Sequence, residues 1–475
     1  MQLTFPSYEF VFFFLPVAVA GFELLRRLTG EHAAAVRRGF LVVCSLLFYL
    51  SFGLRNFAVL LIQALCGYLF YLLLPRARFL YGGMILILVG TLACFKYVSP
   101  FFPVAVSFTT FSLISFLANA RRGEIDDCGF TDYLLYVFFF PKLLQGPIMR
   151  YPDFREQEAR AAKTALTAER FAGALFLFVL GLSKKVLLAD RLAPAVNHAY
   201  DAPGDLLWME ALLAAISYSF QIYFDFSGYC DMGRAAARML GFDLPRNFDR
   251  PYCAARISEF WRRWHITLTD FFTRYVYIPL GGSRRGKLRT LANTMIVFLL
   301  SGLWHGNTVN FLIWGAMHGV ASCLERLLPR PLPLPRPVKQ VLTWIFVTLA
   351  WIFFRAETVA DALLVLRRIF DKPWFKLHDR FISPYLMNEF WYPLKVLGVR
   401  DVRTGGIICL WLLLGACALF AFLLPDAERL TDRFAGPADS DRPPHTVGVA
   451  VLTAFLFLWC VLSFGEVSSF LYFDF

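Results

Sequence analysis

Apolar residues along this chain come in blocks of about twenty, separated by short polar interruptions rich in arginine. Blocks lie near 8–26, 39–54, 57–74, 79–98, 131–149, 170–190, 206–226, 290–304, 308–325, 338–354, 404–424 and 447–464. A helix of about 20 apolar residues crosses the hydrocarbon core of a bilayer, and in lipid a helix satisfies its own backbone polar groups. The pattern therefore predicts an all-α, polytopic integral membrane protein with about 11–13 transmembrane helices plus short interfacial or re-entrant helices. The stretch "PVAVSFTTFSLISFLA", 103–118, is shorter and dotted with Ser and Thr; it reads as re-entrant or buried in protein.

Composition agrees: 58% of the 475 residues are hydrophobic and only 17% are charged, too little polar surface for a soluble protein of this size. The formal net charge of +12 reads first as a positive-inside bias and second as attraction to anionic lipid or a phosphorylated substrate. No basic module is long enough to fold apart from the membrane, which argues against nucleic-acid binding. Arg26, Arg27, Arg37 and Arg38 put the first loop in the cytoplasm and the N-terminus outside, with the C-terminus outside as well. The start of the chain lacks a basic n-region and a small-residue cleavage site, so it reads as a retained first span.

The largest block between spans, 227–289, carries twelve Lys or Arg against five acids and is expected on the cytoplasmic face as short interfacial helices. "PRPLPLPRP", 329–337, reads as a stiff extended connector, 356–403 as a surface segment and 425–446 as a polar loop. Neither a tandem repeat nor a soluble domain is visible, so 1–475 reads as a single membrane domain. The ten cysteines form no CxxC pair and no HExxH exists, so no metal site is predicted.

Polar residues at membrane depth need a reason. His305 interrupts an apolar run in "SGLWHGNTVNFLIWGAMHG", 301–319, with Gly306 and Asn307 breaking the pattern behind it. A charge there costs roughly 2.5–3.5 kcal/mol, so an ionisable side chain is a functional candidate by default. The alternative is a neutral imidazole hydrogen-bonded inside a bundle. His265 sits in "ISEFWRRWHITLTDFF", 257–272, among Trp261, Arg262, Arg263 and Trp264. An interfacial helix with an aromatic belt and snorkelling arginines accounts for the Trp and Arg but less well for the His. The same four residues also suit a nucleotide-bearing donor, since guanidinium pairs with phosphate and indole stacks on a purine. "GGSRRGKL", 281–288, misses a phosphate-binding loop because Leu288 stands where a hydroxyl is required, which excludes ATP hydrolysis of that type. Asp225 and Asp231 read as structural, with Gly228 between them suggesting a helix end; His318 also reads as structural.

The run "YFDFSGYCDMGRAAARMLGFDLPRNFDRPYCAARISEFWRRWHITLTDFFTRYVYIPLGG", followed by "GLWHG" and "IWGAMHG", resembles the membrane-bound O-acyltransferases. Within them it is most similar to the bacterial branch of alginate O-acetylation and teichoic-acid D-alanylation. The strong match covers about 220–320, and "FPKLLQGPIMRYPDF", 140–154, and the tail "FLYFDF", 470–475, extend it. The resemblance implies a ring of helices around a central funnel or tunnel. It implies His305 as the catalytic histidine and His265 as the second functional position. It further implies an acetyl group taken from cytoplasmic acetyl-CoA, with no bound cofactor. The acetyl would be passed outward for O-acetylation of an alginate- or cellulose-like polysaccharide, at the bacterial inner membrane. A separate extracytoplasmic SGNH-type acetyltransferase would complete the transfer, with Tyr472 as a possible acyl relay. The alternatives are D-alanyl transfer to teichoic acid from a carrier protein and, in another class, a polysaccharide or lipid transporter. A transporter would be expected to show inverted hydropathy symmetry between halves, which is absent here.

Overall fold

The structure, a computed structural model, describes residues 2–28, 32–75, 78–328, 333–371, 376–434, 447–468 and 470–471. Among them the chain is all-helical, without strands. Five helices are long and apolar enough to cross a membrane: Ala33–Leu50, Leu54–Leu73, Ala168–Asp201, Arg336–Arg355 and Val402–Leu423. Tyr81–Tyr97 and Val447–Leu462 are shorter and equally apolar.

The chain divides into two compact units, each assembled from separated stretches. One comprises 1–183, 228–247 and 427–465; the other 184–227, 248–426 and 466–475. In the first unit, the Ser/Thr-dotted segment forms the helix Val106–Arg121, buried along almost its whole length, as a helix with few lipid-facing side chains must be. The predicted span 131–149 is not one helix. It is the helix Phe130–Phe138, a short turn Phe140–Leu143 and an extended return to residue 150. Pro141 gives the reason: its ring would clash with the carbonyl of Val137 if the helix continued.

Gly228 does not end a helix either. Trp208–Met239 runs straight through it. In the first unit a Cβ on Gly181 would lie 2.8 Å from the Gly228 carbonyl oxygen, so the glycines here permit close helix approach. The first thirteen residues of the 227–289 block thus continue this long helix, and short helices begin only at Pro251–Cys253, Ile257–Trp261 and Ile266–Phe272.

Two further expectations are revised. The proline-rich connector ends earlier than expected, since Arg336 and Pro337 open the helix Arg336–Arg355; residues 329–332 lie outside the described residues. The polar loop 425–446 begins with a helix, Ala427–Phe434. Glu428 on that helix meets Arg234 at 2.7 Å, Arg238 at 2.9 Å and Arg246. Burial pushes the Glu428 carboxyl up, but the three guanidinium groups overcome it and hold it below the usual range.

Candidate functional site

Among the described residues three histidines are buried, all in the second unit, and the hairpin of Lys287–His305 and Val309–Leu327 supplies two of them. Small residues let its arms meet. A Cβ on Gly302 would lie 2.4 Å from the Phe311 carbonyl oxygen, and one on Gly315 2.5 Å from that of Phe298. Gly306, just past the helix end, has the Phe311 ring where a Cβ would stand, at 1.9 Å. The "GLWHG" and "IWG" glycines therefore close the hairpin and fix His305 in its last helical turn.

His305 is 4% exposed and ringed by aromatics. The Trp304 indole lies 4.4 Å away between centroids, and Trp314 and Phe354 present edge-to-face contacts at 5.0 Å each. Such packing fixes the ring's plane. His265 is 1% exposed and meets Phe226 edge-on at 4.8 Å. Its backbone is left-handed, at φ 44° and ψ 54°, a conformation that non-glycine residues rarely adopt and that costs of order 1–3 kcal/mol. The strain turns the chain between Ile257–Trp261 and Ile266–Phe272 and sends the imidazole inward. Burial pushes the His265 imidazole down to about 3, so it is neutral at physiological pH.

The two histidines share one neighbour. Trp304, against His305, also stands 6.4 Å from the His265 ring. On the other side of His305, Trp314 stands 5.1 Å from His318. His318 is fully buried, and its Nδ1 accepts a hydrogen bond from the Trp261 indole N–H at 3.2 Å. That bond requires an unprotonated Nδ1, a fixed tautomer suited to a structural role. A ladder of alternating rings results: His265, Trp304, His305, Trp314, His318, Trp261.

The donor candidates separate. Trp264 is 1% exposed and packed against Phe260, Phe248 and Trp351, so its faces are occupied by protein. Trp261 spends its N–H on His318. Arg263 pairs with Glu259 at 2.7 Å. Arg262 is exposed, bonded to the Ser258 carbonyl at 3.2 Å. Tyr472 lies outside the described residues.

One cluster escaped the sequence reading. Lys185, 0% exposed, donates to Asp225 at 2.7 Å and meets Asp190 at 2.8 Å. Lys184–Ala189 is π-helical, and its wider turn sets Lys185 and Asp190 facing. The cluster holds Ser468, Phe470 and Leu471. Ser468 donates to Asp190 at 2.6 Å, the Leu471 N–H donates to Asp225 at 3.1 Å, and the ammonium lies 4.5 Å over the Phe470 ring. Asp225 is also the residue before Phe226, the ring against His265. The available signal was a lysine pair inside an apolar run. Among the described residues no His, Cys, Asp and Glu gather in a group that could hold a metal ion.

Residues 43–359 match the family model of MBOAT, the membrane-bound O-acyltransferase family. The chain is 33% identical over 419 residues to the peptidoglycan O-acetyltransferase of Helicobacter pylori, covering 77% of this chain and 79% of that one. It is 37% identical over 283 residues to the probable alginate O-acetylase AlgI of Pseudomonas aeruginosa, covering 58% and 53%. It is 30% identical over 234 residues to the teichoic acid D-alanyltransferase of Bacillus subtilis, covering 46% and 57%.

Proposed function

This chain belongs to the membrane-bound O-acyltransferase family and is an O-acyltransferase, and from that premise we propose that it moves an acetyl group from cytoplasmic acetyl-CoA across the bacterial inner membrane. The destination is O-acetylation of an extracytoplasmic polysaccharide, an exopolysaccharide or a cell-wall glycan. The observation that carries the reading is the pair of buried histidines held against one indole, Trp304.

In this reading His305 is the general base. An acceptor hydroxyl oxygen attacks the thioester carbonyl while the imidazole takes the hydroxyl proton. The tetrahedral intermediate collapses, the C–S bond breaks, and the imidazolium returns the proton to the departing thiolate. Imidazole chemistry suits that exchange because it both accepts and returns a proton, and exclusion of water protects the thioester from hydrolysis. His265, neutral by burial, aligns or polarises the thioester carbonyl. Arg262 and Arg263, with Trp261 beside them, meet the phosphates of the donor.

Tyr472 is the proposed relay, its phenol oxygen accepting the acetyl group and handing it to an extracytoplasmic SGNH-type partner. Support comes from the preceding residues: the tail is held as far as Leu471 at Asp225, one position from the Phe226 ring that touches His265.

The test is purified full-length protein with acetyl-labelled acetyl-CoA. Label released or retained covalently by the native protein, lost in His305→Ala, is the expected result. Tyr472→Phe should lose the covalent label; full polymer acetylation in that variant would remove the relay. Polymer export that depends on His305 rather than its acetyl content would point to a transporter instead.

A further inference from the structure

Three buried side chains of the second unit hold the tail at three positions, and each contact is different. Asp225 divides its carboxylate: Oδ1 pairs with the Lys185 ammonium at 2.7 Å, and Oδ2 accepts the Leu471 N–H at 3.1 Å. Asp190 Oδ1 meets the same ammonium at 2.8 Å and accepts the Ser468 hydroxyl at 2.6 Å. The ammonium itself reaches the Ser468 Oγ at 3.4 Å and lies over the face of the Phe470 ring. Two carboxylates share one ammonium, so the tail's hydroxyl and amide supply donors that the three side chains do not supply among themselves.

Such a seat fixes a register. A slide of the tail by one residue moves its hydroxyl, ring and N–H by about 3.8 Å, beyond hydrogen-bond reach of their partners. Simple anchorage needs no charges. Apolar side chains of the same volume hold a segment at least as well as a buried ion pair, whose best-attested use is to specify register. The seat also adjoins the histidine wall. Asp225 and Phe226 are consecutive on the helix Trp208–Met239, and the Phe226 ring meets His265 edge-on at 4.8 Å.

We infer that Lys185, Asp190 and Asp225 are positioning residues for acyl transfer. They set the register of Ser468, Phe470 and Leu471, and with it the point from which Tyr472, bonded to Leu471, meets the donor. The inference rests on the relay reading of Tyr472. In the relay step the phenol oxygen bonds to the acetyl carbon and the C–S bond breaks. The phenol proton passes by way of His305 to the departing thiolate.

The experiment follows covalent labelling of the purified full-length protein by acetyl-labelled acetyl-CoA in single turnovers, reading rate constant and amplitude separately. One glycine inserted between Leu471 and Tyr472 leaves the seat contacts in place and displaces the phenol by about 3.8 Å. Its rate constant should fall at least about a hundredfold, with thermal stability and the KM for acetyl-CoA unchanged. Ser468→Ala should slow labelling roughly tenfold, and Ser468→Thr should return it to within about twofold of native. A seat that only stabilises the fold would lower the amplitude and leave the rate constant alone. Native rate constants in the insertion variant and in Ser468→Ala, with Tyr472→Phe unlabelled, overturn the inference and spare the relay. Covalent label retained by Tyr472→Phe overturns the relay reading, and this inference with it. If the insertion variant does not fold, the rate constant of Ser468→Ala decides.

Discussion

Two polar clusters are buried in the second unit, and they are built on opposite rules. Around Lys185 opposite charges meet: one ammonium, two carboxylates, a serine hydroxyl and a backbone N–H come within 2.6–3.1 Å. Around His305 aromatic rings fix the plane of the imidazole. The first arrangement holds Ser468, Phe470 and Leu471 in place; the second orients the side chain proposed as the base. The difference teaches that burial alone does not mark a functional group. What separates the two is the kind of neighbour each buried group is packed against, opposite charges in one and aromatic rings in the other.

The contrast can be broken at either cluster. His305→Ala should reduce acetyl transfer by about 10²–10⁴-fold, the usual contribution of a positioned base, with little loss of stability. Single-turnover transfer and thermal unfolding, measured on the same preparation, check both halves. Lys185→Met should do the reverse first. It strands two buried carboxylates and should cost about 3–5 kcal/mol, with the Leu471 amide losing its protection from hydrogen exchange. An equally protected Leu471 amide in that variant would remove the strap from the account.

A smaller effect concerns pH. The His265 imidazole is held down to about 3, below its ordinary value of 6.5. Between those values the unfolded chain binds a proton that the folded one refuses, so stability rises with pH across about 3 to 6.5 and is level above. His265→Gln should flatten that slope by close to one proton, read from denaturation midpoints at several pH values. The least effect is expected at His318. His318→Gln can still accept from the Trp261 indole and should lower transfer less than about tenfold.

Much of the fold was legible because helix-forming apolar blocks announce themselves by length. The Ser/Thr-dotted segment was also readable as buried, since few of its residues suit lipid. The block 131–149 was misread because hydropathy counts residues and ignores the clash that Pro141 makes with Val137. Gly228 was misread because a glycine that ends a helix and one that lets two helices touch look alike in sequence. His305 and His265 stood out as polar residues in apolar or aromatic surroundings. Lys185 carried the same kind of signal, but nothing in the chain's order pairs it with Asp225 forty residues on or with Ser468 near its end.

By itself the sequence determined that this chain lives in a bilayer, roughly where it turns, and which histidines are out of place there. Those properties follow from the local free energy of transferring each stretch into hydrocarbon, a sum over neighbours in the chain. Tertiary structure alone decided which partners each buried polar group meets, because groups such as Asp225 and Ser468 or Trp304 and His265 are brought together by packing.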